Sequence, residues 1–169
     1  MNLTRWRKWR YVLTFALTAA AAILLWAAAK ALPCPVTMTL FPINASPWEM
    51  SKLLFWPYLP GAVVLWRLSP EENRGGHCLL LLVMPLAAMG LTRLTAGSVP
   101  FWGIFAAVLA GGLTFYALVL RRKLWGGELL WAVLAILLGI AYILFTALPP
   151  CGRLFWPPGD VAAIAPIPY

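Results

Sequence analysis

FPINASPWEMSKLLFWPYLPG, residues 41–61, joins a proline-rich loop to an apolar segment with an acid and a base in its first turns. Ser46 stands where an N-cap belongs, Pro47 at the first helical position and Glu49 at the third. Together they read as a capping box, in which the two side chains satisfy backbone amides that a helix start leaves open. After Glu49, Lys52 is the one charged residue before Arg67, so a helix over 48–68 is long enough to cross a bilayer, which takes about 20 residues. Pro57 and Pro60 fall inside it and predict a kink. The carbonyls freed near Leu53 and Trp56 then need partners from other helices or water.

Outward from this stretch the same reading repeats. Apolar runs over 11–32, 78–94, 99–120 and 128–148 are separated by short polar or proline-rich connections. The 169 residues are 63% hydrophobic and only 11% charged, too few charges to clothe a soluble domain of this length. Mean hydropathy is +0.84. The fold class expected is all-α: a polytopic membrane bundle of five transmembrane helices in a single domain over 1–169. Segment 33–47 forms an outer loop and 149–169 a proline-rich outer tail.

The net charge of +8 does not mark a nucleic-acid binder, because the cations sit at the ends of apolar runs rather than on one patch. Arg5, Arg7, Lys8, Arg10, Arg67, Arg74, Arg121, Arg122 and Lys123 fall on one side of the expected bundle; Lys30, Arg93 and Arg153 fall on the other, with Lys52 near it. The positive-inside rule places the N-terminus inside and the C-terminus outside a cell membrane. Segment 1–10 is the basic flank of the first helix and can also hold anionic lipid. A signal peptide is disfavoured, since the run over 11–32 exceeds the roughly 7–15 apolar residues of a signal core. Asn44-Ala45-Ser46 matches a glycosylation sequon but is followed by Pro47 and lies against the membrane.

Cys34 and Cys151 both fall on the expected outer side, and a disulfide between them would tie the first helix to the last. It requires a Cα spacing of about 4.4–6.8 Å. Cys78 is expected as a thiol. No Cys-x-x-Cys pair or histidine cluster supports a metal site, and no cofactor is expected. His77, the one histidine, reads as an interfacial residue. Gly103, Ala107 and Gly111 form a small-residue stripe for close helix packing, within the chain or in a homo- or hetero-oligomer.

Residues 42–53 resemble the signature of a family of small bacterial multi-pass membrane proteins of unknown function, Pro-Val-Asn-Glu-Ser-x-Trp-Glu-His-x-Lys-Leu. Asn44, Ser46, Trp48, Glu49, Lys52 and Leu53 match it. Phe145-Thr146, Pro149-Pro150 and Phe155 resemble the family's second stretch. Ala45 replaces a glutamate and Met50 a histidine, and Trp156-Pro157-Pro158 stands where relatives carry Asp-Pro. The resemblance implies a five-helix membrane protein and carries no activity.

Asn44, Ser46, Trp48, Glu49 and Lys52 are the candidate site. The plainest reading is a helix cap, with Trp48 in the interfacial aromatic belt and Lys52 paired to Glu49 for a few tenths of a kcal/mol. Another is a polar site for an ion or small solute, since ionisable groups in spanning segments mark function. A third is a degenerate enzyme using Glu49 as acid or base with Asn44 or Lys52 as the electrophilic group; Ala45 and Met50, where the resemblance implies Glu and His, leave it without the richer constellation. A fourth is an accessory subunit that docks a larger partner through the Gly103–Gly111 face.

Overall fold

The computed structural model describes residues 3–31, 35–68, 72–95, 98–121, 127–150, 152, 154 and 155. Among these the chain is all-helical, with no strand. The helices are α1 (Leu3–Ala31), α2 (Pro35–Leu40), α3 (Pro47–Leu68), α4 (Arg74–Leu94), α5 (Phe101–Phe115, continued by a π-turn over Tyr116–Leu120) and α6 (Gly127–Ala147).

Among the described residues, four segments are long and apolar enough to cross a membrane: Trp9–Ala28, Arg74–Leu94, Phe101–Leu120 and Gly127–Ala147. Their outward faces are apolar. Val12, Leu24, Leu118, Leu129 and Ile136 are each more than half exposed, an arrangement lipid favours and water opposes. This is consistent with a multi-pass membrane protein.

α3 is the helix that falls short in hydropathy, and its position explains why. It packs chiefly on α1 and α4 and also touches α5 and α6. Leu53, Leu54, Phe55, Tyr58, Ala62 and Leu65 are buried, and so are the polar Ser51 and Lys52. A helix surrounded by protein can carry polar side chains that a lipid-facing helix cannot. It runs as one helix through Pro57 and Pro60.

Consecutive long helices alternate in direction. Arg10, Glu72 and Arg121 meet at one end, where Gly75 also abuts Glu128; we call this the basic end. The starts of α3 and α5 lie at the opposite, motif end, with Trp26 edge-on to Trp102 and Trp48 against Tyr142.

Three local features differ from expectation. The loop over 33–47 contains α2, which packs on α6 and contacts α1. α4 starts at Arg74 rather than near 78, because Asn73 caps it by accepting from Gly75 N at 3.1 Å. Gly75-Gly76, in the connection expected before residue 78, thus lies inside the helix. The reason is space: a Cβ at Gly76 would meet Tyr116 Cε2 at 2.8 Å. The π-turn that ends α5, with Arg121 N donating to Tyr116 O at 2.9 Å, places that tyrosine against α4.

The stripe on α5 faces outward. A Cβ at Gly111 would meet nothing within 4 Å, and one at Gly103 only Val99 at 3.8 Å; Ala107 is exposed. The glycine that admits a neighbour is Gly112, against Met84 of α4.

Candidate functional site

At the motif end the start of α3 is held by three interlocking bonds. Ser46 Oγ accepts from Glu49 N at 3.2 Å, the first half of the expected capping box. The second half is rearranged. Ser46 N donates to Asn44 Oδ1 at 2.9 Å, and the Glu49 carboxylate instead accepts from Ile43 N at 3.1 Å. Asn44 is therefore spent on the local turn and makes no bond to Lys52.

Lys52 is wholly buried, at 0% exposure, and Glu49 nearly so. Lys52 Nζ donates to Glu49 Oε2 at 2.7 Å and to the Thr146 hydroxyl. Thr146 passes its own hydrogen to Tyr142 O at 2.6 Å. One turn away, Ser51 donates to Trp48 O at 2.7 Å, which leaves Tyr142 as donor to Ser51 Oγ, also at 2.7 Å. Burial changes the energetics expected of the pair. An exposed pair contributes a few tenths of a kcal/mol; a buried one is tightly interdependent, because removing either partner strands a charge out of water.

Trp48 is buried inside the bundle. Its ring lies 4.7 Å from Tyr142, 5.3 Å from Phe145 and 5.2 Å from Phe155, centroid to centroid. Trp48 N also donates to Leu154 O at 3.2 Å. The two stretches singled out in the sequence, around residues 44–53 and 145–155, therefore meet in space. Phe145, Thr146 and Phe155 all contact the start of α3. Cys34 and Cys151 lie outside the described residues, and Cys78 is a buried free thiol.

This arrangement can hold a desolvated ion pair one short loop from the surface, since Ile43, Asn44 and Ala45 are exposed. The second carboxylate oxygen of Glu49 accepts no hydrogen bond from the described residues, and Lys52 uses two of its three donors. The other groups bonded to the pair are a backbone amide and a hydroxyl, not a second titrating acid or base. No group of three or more metal-ligating side chains occurs among the described residues.

The basic end holds a second buried polar cluster that the sequence reading missed. Glu72 accepts from Arg10, lies 3.5 Å from Arg121 Nε, and takes the Tyr11 hydroxyl at 3.4 Å. His77, expected at the interface, is 1% exposed. Its Nδ1 is 3.0 Å from the Tyr58 hydroxyl, and its ring stacks on Tyr116 at 4.1 Å and 24°. Tyr116 donates to Asn73 O at 3.1 Å. A signal existed: Tyr58 lies seven residues after Ser51, which puts both on one face of α3.

No family model, curated protein or solved structure matches the chain.

Proposed function

We propose that the chain is a non-catalytic, five-span protein of a bacterial cell membrane that binds an ion or small charged solute at the start of α3. The observation that carries this reading is the complete burial of Lys52 beside Glu49. Intramembrane charges are costly, and those retained inside a bundle commonly serve a bound ion or solute. The Lys52 donor and Glu49 oxygen that the described residues leave open offer one donor and one acceptor. A solute entering past residues 43–45 would meet both.

The test is a solute screen read by thermal unfolding of the purified full chain. A ligand at about 100 times its Kd stabilises by about 2.7 kcal/mol, which raises the midpoint by several degrees. That rise is expected in wild type and lost in the folded double variant Glu49→Gln, Lys52→Met. A screen of inorganic ions, amino acids and polyamines that stabilises neither protein sinks the reading.

In this proposal α3 is the fifth span, the N-terminus lies in the cytoplasm and the C-terminus outside. Support comes from Arg10, Arg67, Arg74 and Arg121, which all fall at the basic end. Single cysteines placed at Asn44 and Ser98 in a Cys-free background are expected to react with an impermeant maleimide from outside intact cells. One at Arg121 is expected to react only after permeabilisation. The reverse pattern overturns the orientation.

A second reading, an accessory subunit docking a partner copy or a larger protein, is favoured by the open space around Gly111 on α5. In that reading the small-residue stripe would meet another helix, with lipid covering the larger residues of α1 and α6.

A further inference from the structure

At the basic end, away from the Glu49–Lys52 site, we propose that His77 is a proton-binding site whose charging releases α1 from the bundle. A neutral imidazole carries one N–H. In the packed state Tyr58 occupies Nδ1, and Nε2 is buried with no hydrogen-bond partner among the described residues. A second N–H at His77 would thus lack an acceptor inside the cluster. The packing leaves little slack: Tyr116 covers the ring at 4.1 Å and presses on Gly76 from the same side. The wide π-turn that aims Tyr116 there is a rare backbone form found disproportionately at functional positions.

The charged and titratable groups around His77 determine what a proton would do. α1 contributes Arg10 and Tyr11, α3 Tyr58, α5 Tyr116, and α4 itself Arg74 and Cys78. The connection before α4 contributes Glu72, the residue after the π-turn Arg121, and α6 Glu128 beside Gly75. The stacked Tyr116 face favours a cation, while burial away from water and then the charge of Arg10 oppose one. Glu72 already serves Arg10, Arg121 and Tyr11. An imidazolium there has no acceptor among the described residues, and it adds a like charge that repels the Arg10 guanidinium. Arg10 and Tyr11 tie α1 to Glu72, and Tyr11 packs on the stacked Tyr116 at 6.3 Å, so the repulsion loosens α1. The step is proton uptake from water at the basic end, with nothing oxidised or reduced.

One histidine in the chain makes the test direct. With 15N-histidine in the full chain in lipid nanodiscs, one imidazole reports its own charge state, while amide exchange reports the protection of α1. On acidification the imidazolium signal and the loss of α1 protection are expected to appear together. The loss should be about tenfold per pH unit, as linkage to a single proton requires. In His77→Gln, protection corrected for intrinsic exchange should stay level. A charged imidazole with α1 still protected overturns the proposal. So does an equal loss in His77→Gln, or an imidazole that stays neutral until the whole chain unfolds. If His77→Gln does not fold, the coincidence of the two wild-type curves decides.

Discussion

Lys52→Met is expected to lower the thermal unfolding midpoint by about 10 °C, because removing one partner of a buried pair costs about 3–5 kcal/mol. The substitution keeps most of the side-chain volume and deletes the charge. Glu49 is then left nearly buried, with Ile43 N as its remaining charge-free partner across the loop. Glu49→Gln should also destabilise, since it leaves the fully buried ammonium with neutral acceptors only. Combining the two should restore most of the loss. A neutral pair of similar volume is often as stable as the ion pair it replaces, and the amide oxygen that Glu49→Gln introduces would still accept from Ile43 N. The measurement is a double-mutant cycle by thermal unfolding in detergent. Additive losses would show that the two charges do not depend on each other.

Gly76→Ala is expected to cost a net few degrees, although alanine is the better helix former. The propensity gain is about 1 kcal/mol, whereas overpacking a closed contact costs about 1–3 kcal/mol. At this position the added Cβ would meet Tyr116 Cε2 at 2.8 Å and Leu120 O at 3.1 Å. Neither can retreat cheaply. The tyrosine is stacked on His77 and hydrogen-bonded to Asn73 O, and Leu120 O belongs to the π-turn. Gly111→Ala is the control, because its Cβ enters open space and only the propensity gain remains. Thermal unfolding of both separates the effects, and equal shifts would refute the close contact. Gly111→Leu extends the control to assembly: light scattering should show an unchanged folded monomer, or loss of an oligomer if the α5 face is an interface.

Much of the architecture was legible in the residues. Membrane-length apolar runs bounded by cations, the cap at Ser46 and the segment 128–148 depend on local pattern, and local pattern is what a sequence displays. The pairing of residues 44–53 with 145–155 could be suspected only from resemblance, because nothing in either stretch encodes its distance from the other.

The less legible features share a physical origin. Trp48, Lys52 and His77 each carry a polar group that suits a membrane surface equally well, and only the neighbouring helices decide whether that surface exists. The same holds for the glycines. Gly103, Ala107 and Gly111 have the periodicity of a packing stripe yet face outward, while Gly76, which precedes the apolar run over 78–94, lies inside a helix and admits an aromatic ring.

By itself, then, the sequence determined an all-helical, apolar chain and the point at which α3 begins, through hydrophobic periodicity and capping chemistry. The tertiary structure alone decided that FPINASPWEMSK opens the most enclosed helix rather than a lipid-facing one. Enclosure follows from contacts with α1, α4 and α6, whose residues lie far away along the chain. That enclosure turns a surface cap and a weak ion pair into a buried, interdependent unit.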